Sequence, residues 1–227
     1  MVPSGEKVSE AMWKTFQKEA AYQKEYSKVK VLALFGHGGG NFYTVETPIK
    51  AMADFKGLKI RTANPSISKA LNLWGAVPVA QPITQTYQSM QLGVLDGTVL
   101  PYEGMVVFKL NELAKYSTIG NLYTMPMMIV ANKKKWNKLP ADVQKLIEDT
   151  TGLQMSMAAG KAFDDMEIPF RKICLKKGME ETVLDAAEYQ KMKDSTLSLR
   201  EEWAKDMEAK GLPGNQILKT ALELIGE

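Results

Sequence analysis

The sequence predicts an α/β protein of two lobes, because short strands alternate with helices and one helical pattern is too long for a single small lobe. Between residues 58 and 100, strand patterns at 58–62, 76–80 and 97–100 are separated by helical patterns at 67–74 and 84–92. A further helical pattern runs from Pro140 to about Lys176 and predicts one helix or two nearly collinear ones. At ~1.5 Å per residue, such a helix is on the order of 50 Å long, which favours a helix that bridges two lobes.

Further elements are predicted on either side of this alternation. Residues 9–24 have the apolar spacing of a helix, with Ser9 as its candidate N-cap, and residues 29–35 form a strand that ends in a glycine-rich loop. Additional strands are expected at 116–120 and 125–131, and C-terminal helices at 185–209 and 214–225. This rhythm is typical of a three-layer architecture with helices on both faces of a sheet.

The composition excludes several classes of function. Of 227 residues, 45% are hydrophobic and 24% are charged, and the net charge of +3 is spread along the chain without a basic block, so nucleic acid is not an expected partner. No run approaches the roughly 18 apolar residues of a membrane span, and the first residues lack a signal-peptide pattern. With one cysteine, Cys174, and one histidine, the chain matches no zinc-binding spacing, and no cofactor or metal is expected. Cys174 is interpreted as a buried structural residue.

The loop Gly36–Asn41 has some features of a catalytic element. It resembles the His-Gly-Gly-Gly oxyanion segment of some esterases, but the chain contains no Gly-x-Ser-x-Gly and no second histidine to act as general base. A phosphate cradle would need glycine at Asn41. The loop is therefore either a flexible turn or a ligand-facing loop that includes His37. The chain is expected not to be an enzyme, and a hydrolase that uses this loop is the alternative.

Arg61 and Asn64 stand at the carboxyl end of a predicted strand, just before a helix. In α/β sheets, ligands bind in the crevice outside such strand ends, and a guanidinium offers paired donors to a carboxylate. A surface salt bridge for Arg61 and a helix cap or turn for Asn64 are the structural alternatives.

Several ordered runs of sequence resemble one family. The runs are PIKAMADFKGLKIR at 48–61, WGAVPV at 74–79, YQSMQLGVLDG at 87–97, ELAKY at 112–116, and VANK with WNKLP between 130 and 140. Together they are similar to the DctP-type substrate-binding proteins of tripartite ATP-independent periplasmic (TRAP) transporters. The resemblance implies a type II-like periplasmic-binding-protein fold, with two α/β lobes joined by crossing strands and a long spanning helix. These lobes would close over one small organic carboxylate, which is then delivered to the membrane permease subunits.

The resemblance also implies roles for individual residues. Arg61 matches the family's signature arginine, which grips the ligand carboxylate, and Asn64 matches a ligand-contacting asparagine of sialic-acid-binding members. Asn41, Leu100 and Leu122 replace an arginine, an asparagine and a histidine of those members, so a less polar pocket is expected.

A monocarboxylate with an apolar or aromatic body suits such a pocket, because each unsatisfied polar group facing Leu100 or Leu122 would cost ~1–3 kcal/mol. Tyr102 and Tyr123 flank these positions and could supply ring packing and a hydroxyl donor, with ordinary packing as the alternative. The predicted substrate-binding residues are Arg61, Asn64, His37, Asn41, Leu100, Tyr102, Leu122 and Tyr123.

Family members begin with a signal peptide and a first portion of lobe one, so lobe one is expected to be incomplete here. Residues 1–36 would be the remainder of lobe one, residues 37–120 mainly lobe two with the ligand-binding crevice, and residues 121–227 the crossover strand, the spanning helix and the C-terminal helices. An uncovered sheet edge or apolar face would favour self-association. A periplasmic location follows from the resemblance alone. A truncated interaction module that binds no solute is the remaining alternative.

Overall fold

The computed structural model describes residues 4–226, which form two compact units. Unit 1 comprises Gly39–Tyr123 and Asp165–Arg200, and unit 2 comprises the described residues of 4–38, 124–164 and 201–226. The predicted division into two α/β units is therefore confirmed. The lobe roles assigned to residues 1–36, 37–120 and 121–227 stay predictions.

Helices and short strands alternate through most of the described chain. The helices are α1 Gly5–Lys18, α2 Ala20–Glu25, α3 Pro65–Leu73, α4 Thr86–Gln91, α5 Tyr102–Val107, α6 Lys133–Trp136, α7 Ala141–Thr150, α8 Leu153–Lys176, α9 Ala186–Ser195, α10 Leu197–Ala209 and α11 Gly214–Ile225. The strands are β1 Val29–Gly36, β2 Asn41–Thr44, β3 Lys59–Thr62, β4 Val77–Ala80, β5 Gly97–Leu100, β6 Tyr116–Ile119, β7 Pro126–Asn132 and β8 Glu180–Val183. Among residues 4–226, no helix combines the length and the apolar character that a membrane crossing requires.

Unit 1 is built on a mixed six-stranded sheet with the strand order β4-β3-β5-β2-β6-β8. Strands β4, β3 and β5 run parallel, β2 is antiparallel to both of its neighbours, and β8 is parallel to β6. The strands β3, β4 and β5 are those predicted between residues 58 and 100. Strands β2 and β8 were not predicted.

Both faces of this sheet are covered, and β2 shows why a four-residue strand is buried along its whole length. Successive side chains point to opposite faces of a strand. Phe42 packs edge-on against Phe55, with ring centroids 4.9 Å apart, and its core also contains Trp74. Tyr43 packs edge-on against Tyr102 at 5.3 Å, in a second apolar core that contains Cys174. The predicted three-layer arrangement is thus explained by two apolar cores, one on each face.

A charged hydrogen-bond network joins α5, β6, α8 and β8 within unit 1. The Tyr102 hydroxyl donates to a Glu181 carboxylate oxygen at 2.6 Å and lies 2.9 Å from the Ser117 hydroxyl. Arg171 forms a two-point ion pair with the same carboxylate, in which Nε donates to Oε2 at 2.7 Å. Hydrogen bonding to Arg171 lowers the pKa of Glu181 below its ordinary 4.5, against the opposing effect of burial. The network therefore stabilises the charged form of this acid.

Unit 2 contains a two-stranded antiparallel sheet of β1 and β7, with a bulge between Val31 and Ala33. Strand β7 carries three exposed apolar residues, Met128, Ile129 and Val130. In the described part of unit 2, one edge of β7 has no partner strand. The predicted uncovered edge and apolar surface are therefore confirmed.

The predicted first helix needs correction. The first helix begins at Gly5 and not after Ser9, because Ser4 is the N-cap and accepts a hydrogen bond from the Lys7 amide. Ser9 lies inside the helix, where its hydroxyl donates to the Gly5 carbonyl at 2.6 Å. The same pattern, predicted as one helix, is interrupted at Glu19 and continues as α2.

The long pattern from Pro140 to Lys176 forms two helices, α7 and α8, and the sequence prediction included a pair of helices as well as a single one. Gly152 separates them with a left-handed φ of +74°, and its amide donates to the carbonyl of Leu32 in the β1 bulge at 2.7 Å. Glycine adopts this conformation at little cost, whereas other residues are strained by it. Helix α8 runs well past Gly160 and contributes residues to both units, as the sequence predicts.

The core of unit 1 predicts the effect of truncating Phe55. Its side chain is fully buried between Phe42 and Trp74, so Phe55→Ala should lower the free energy of unfolding by about 3–5 kcal/mol. Leu92→Ala, which truncates an apolar side chain that is 69% exposed, is the matched control and should cost far less. Urea unfolding monitored by circular dichroism measures both, and equal losses would contradict this description of the core.

The Glu181 network predicts a pH dependence of stability. Glu181→Gln removes the charge that Arg171 and Tyr102 bind, so it should cost about 1–2 kcal/mol near pH 7. Because the folded-state pKa of Glu181 is lowered, this difference should be complete above its unfolded pKa and should disappear as the pH falls through the folded value.

Asp149→Asn is the control for this experiment, because the Asp149–Lys145 pair lies on the exposed surface of α7. Urea unfolding of the three proteins between pH values of about 2.5 and 7 would test the assignment, since this range spans the titration of carboxyl groups. If Glu181→Gln lowers the free energy of unfolding by as much at the lowest pH as at pH 7, the charge of Glu181 is not the cause of the lost stability.

Candidate substrate-binding site

Arg61 occupies the interior of unit 1 at the end of β3. The strand is hydrogen-bonded on both sides, with Arg61 opposite Val79 of β4 and Thr98 of β5. The side chain is 5% exposed, and its Nε donates to the backbone carbonyl of Gln81 at 3.0 Å. The predicted position of Arg61 at a strand end is confirmed. Because the side chain is buried, the alternative of an exposed salt bridge is wrong.

The guanidinium of Arg61 has no acidic counterpart in the described part of the chain. No carboxylate of residues 4–226 lies within ion-pair distance of it, and its only hydrogen bond there is the one from Nε. Burial lowers the pKa of the guanidinium, an effect that Tyr123 opposes, but arginine stays protonated at neutral pH. A buried cation without a counter-charge is costly, and its terminal nitrogens keep their capacity for paired donation.

Tyr123 connects Arg61 to the first residues of β2. The hydroxyl of Tyr123 donates a hydrogen bond to the Val99 carbonyl at 3.2 Å. Burial raises the pKa of the Tyr123 phenol, and the positive charge of Arg61 opposes that rise. The Tyr123 carbonyl accepts a hydrogen bond from the Gly40 amide at 2.8 Å. A Cβ on Gly40 would lie 1.9 Å from Cε1 of the Tyr123 ring, so this close approach requires glycine. The Gly40 amide is thus used within the protein.

Asn41 begins β2 directly after this contact. Its side chain is 1% exposed, and Nδ2 donates to Oε1 of Glu167 at 3.1 Å. The carbonyl oxygen Oδ1 is buried and has no hydrogen-bond partner among residues 4–226. Leu100 of β5 stands opposite Asn41 in the antiparallel ladder, so an apolar side chain and a buried amide share one face of the sheet.

Glu167 of α8 is the residue of this region that sequence reasoning missed. Besides holding Asn41, its carboxylate accepts a hydrogen bond from the Tyr102 amide at 3.0 Å, at the start of α5. A carboxylate is favourable at a helix N-terminus, where amides lack partners within the helix. No local motif could have identified Glu167, because it is 126 residues from Asn41 and 65 from Tyr102 along the chain.

The remaining candidates of unit 1 have structural contacts. Asn64 is the N-cap of α3, and its Oδ1 accepts a hydrogen bond from the Ile67 amide at 3.0 Å. Tyr102 is fully buried and its hydroxyl belongs to the Glu181 network. Leu122 is partly buried against the core that contains Phe42. The structure thus links Arg61, Tyr123, Asn41 and Leu100, whereas the helix cap uses Oδ1 of Asn64 and the Glu181 network uses the Tyr102 hydroxyl.

His37 belongs to unit 2. Its ring is buried, Nδ1 is hydrogen-bonded to the Gly38 carbonyl, and the His37 carbonyl accepts a hydrogen bond from the Thr124 hydroxyl at 2.6 Å. Burial lowers the pKa of the imidazole, so the ring is neutral at pH 7. Its role in binding stays a prediction.

The described residues contain no group of three or more histidine, cysteine, aspartate or glutamate side chains that could hold a metal ion. Cys174 lies in the apolar core with Tyr43, and burial raises the pKa of its thiol to about 11. A thiol with such a pKa is a poor nucleophile at neutral pH. The predicted burial of Cys174 is therefore confirmed.

Comparison with curated proteins identifies two bacterial relatives. The chain is 34% identical over 154 residues to the C4-dicarboxylate-binding periplasmic protein DctP of Rhodobacter capsulatus, covering 66% of this chain and 44% of that protein. It is 28% identical over 214 residues to the outer membrane transporter protein TsaT of Comamonas testosteroni, covering 92% of this chain and 63% of that protein. The chain thus spans less than two thirds of the length of these relatives.

Solved structures match the fold over almost the whole chain. A TRAP solute-binding protein from Rhodoferax ferrireducens, in complex with copurified benzoate, is 32% identical with a TM-score of 0.94, covering 100% of this chain and 71% of that one. A marine metagenome TRAP solute-binding protein specific for aromatic acid ligands, co-crystallised with 3-hydroxybenzoate, is 34% identical with a TM-score of 0.93, covering 99% and 71%. A TRAP periplasmic solute-binding protein from Bordetella bronchiseptica with bound (R)- and (S)-mandelate is 28% identical with a TM-score of 0.89, covering 98% and 71%.

These structures are TRAP solute-binding proteins, as the resemblance implied, and the predicted fold class is confirmed. The family model described as bacterial extracellular solute-binding protein, family 7 (DctP), matches residues 1–206. With this match along most of its length, and with a buried arginine at the end of β3, the chain belongs to the DctP family of solute-binding proteins.

Proposed function

We propose that this chain is the solute-capturing subunit of a TRAP transporter and binds a small monocarboxylate with an apolar or aromatic body. The observation that carries the proposal is the buried guanidinium of Arg61 without an acidic partner in residues 4–226. A ligand carboxylate would supply the missing charge and accept two parallel hydrogen bonds from the terminal nitrogens.

The neighbourhood of Arg61 supports an apolar ligand body. Leu100 lies two residues beyond Thr98, the strand partner of Arg61, and the Tyr123 phenol interacts electrostatically with the guanidinium. Leu122 and Tyr123 pack against the core that contains Phe42, whereas Leu100 packs against the core that contains Tyr43. Aromatic and aliphatic side chains of this kind favour a ring or short hydrocarbon over a second carboxylate. The relatives crystallised with benzoate, 3-hydroxybenzoate and mandelate bind acids of this class.

The remaining parts of the proposal follow from the family. The protein would act in the periplasm and deliver the solute to the membrane permease subunits of the transporter. The solute would not be changed chemically. The sequence supports binding over catalysis, because it offers one histidine and no nucleophile motif to accompany the glycine loop. The exposed apolar residues of β7 favour self-association, either with another copy or with further parts of a longer chain.

The central test is the removal of the Arg61 guanidinium. Arg61→Ala should weaken binding of benzoate by at least ~30-fold, because the carboxylate would be buried without its counter-charge. Arg61→Lys should also weaken binding, though less, because a lysine ammonium is a point charge and cannot donate two parallel hydrogen bonds. Isothermal titration calorimetry with benzoate, mandelate and succinate gives the affinities.

Lys115→Ala is the matched control, since it removes an exposed cation of unit 1 that pairs with Glu46. It should leave the affinity unchanged. Near-equal affinities of wild type and both Arg61 variants would contradict the role of Arg61. Failure of the wild-type chain to bind any acid of a broad set would instead favour the non-binding interaction module.

A further inference from the structure

The buried carbonyl oxygen of Asn41 is a hydrogen-bond acceptor that the described protein does not use. Asn41 is 1% exposed, and no donor of residues 4–226 forms a hydrogen bond to Oδ1. The Asn41 side chain also interacts with the Tyr43 hydroxyl on the same face of β2, and that hydroxyl has no hydrogen-bond partner among these residues either. Most buried polar atoms in proteins have a partner, and leaving one unpaired destabilises the folded state. A ligand that brings a donor to this acceptor would relieve that destabilisation and gain affinity from it.

The orientation of the Asn41 amide is fixed by Glu167. An ionised carboxylate can only accept hydrogen bonds, so the amide must turn its NH2 group to Oε1 of Glu167, as the 3.1 Å contact shows. The same carboxylate is itself held by the Tyr102 amide at the start of α5. Oδ1 is consequently presented as a fixed acceptor, and the amide cannot rotate to become a donor there without losing the contact to Glu167.

Asn41 is within a small molecule's reach of Arg61. Arg61 pairs with Thr98 of β5, and Asn41 pairs with Leu100 of the same strand, so the two residues are two strands apart and offset by two residues. With ~4.8 Å between strands and ~3.3 Å per residue, their Cα atoms are about 12 Å apart. Leu100 lies on β5, the strand between them. One aromatic ring with its carboxyl group on Arg61 would extend toward Asn41.

We propose that Asn41 Oδ1 selects for a hydrogen-bond donor on the ligand body, so that the site prefers hydroxylated or N–H-bearing aromatic monocarboxylates to unsubstituted ones. The inference rests on the proposed function, because it takes the carboxylate to be held by Arg61. Glu167 acts as a positioning residue, since it keeps the carbonyl side of the Asn41 amide toward the ligand.

The selectivity is measured by calorimetric titration with benzoate, 3-hydroxybenzoate, 4-hydroxybenzoate and the corresponding methoxybenzoates, which keep the oxygen but lack the donor. In wild type, at least one hydroxybenzoate should bind about tenfold more tightly than benzoate, a difference of ~1.4 kcal/mol, and its methoxy analogue should show no such gain. In Asn41→Leu, which has a similar volume and no polar atom, the ratio of the hydroxybenzoate and benzoate dissociation constants should fall to about one.

Glu167→Gln provides a second variant that retains a polar partner for Asn41. The amide that this substitution introduces can donate to Asn41 Oδ1, which would turn the Asn41 NH2 group toward the ligand. The preference should then shift from the hydroxy acid to the methoxy acid, which a merely structural role of Glu167 would not produce. Thermal unfolding of each variant establishes that it is folded under the titration conditions.

The outcomes separate this inference from the proposed function. Equal wild-type affinities for benzoate and every hydroxybenzoate would overturn the role of Asn41 and leave the carboxylate role of Arg61 standing. A hydroxyl preference that survives in Asn41→Leu would also overturn it. Failure of wild type to bind any of these acids, or binding that is insensitive to Arg61→Ala, would overturn the proposed function and this inference with it.

Discussion

Burial of the Arg61 guanidinium is the constraint on which the arrangement of unit 1 depends. Strand β3 lies between two other strands of a sheet that is covered on both faces, so a charged side chain at its end cannot escape fully into water. The Gln81 carbonyl holds Nε and leaves the terminal nitrogens for another partner. Removing an ion from water costs several kcal/mol unless a counter-charge is supplied. A site that carries this cost with no carboxylate of residues 4–226 beside it is suited to binding one from solution.

The start of β2 depends on close packing in the same way. Gly39 and Gly40 approach Asn121 and Tyr123 so closely that a Cβ at either position would overlap them. The glycines of this loop therefore permit backbone approach within unit 1, directly before Asn41 pairs with Leu100. The polar groups around Arg61 and Asn41 include the guanidinium, the amide oriented by Glu167, and the hydroxyls of Thr98 and Tyr43, which have no hydrogen-bond partner among residues 4–226.

The local parts of this arrangement could be predicted from the sequence, and the long-range parts could not. Arg61 at a strand end and Asn64 as a helix cap follow from alternation and capping preferences within a few residues. The position of the break at Gly152 could not be predicted, because the hydrogen bond of its amide goes to Leu32 in a distant β-bulge. Glu167 looked like any helical acid, and Tyr102 looked like a site residue until Glu181 and Ser117 were placed around its hydroxyl. Such contacts join segments that no short motif relates.

The central claim is that the buried guanidinium of Arg61 binds the carboxylate of a ligand. A crystal structure of the chain grown with benzoate tests it most directly. We expect the benzoate carboxylate to lie against Arg61, with each oxygen about 2.7–2.9 Å from a guanidinium nitrogen. The Nε contact to the Gln81 carbonyl should be retained. Benzoate bound elsewhere, or an Arg61 side chain paired with an acid of the protein itself, would contradict this role of the buried guanidinium.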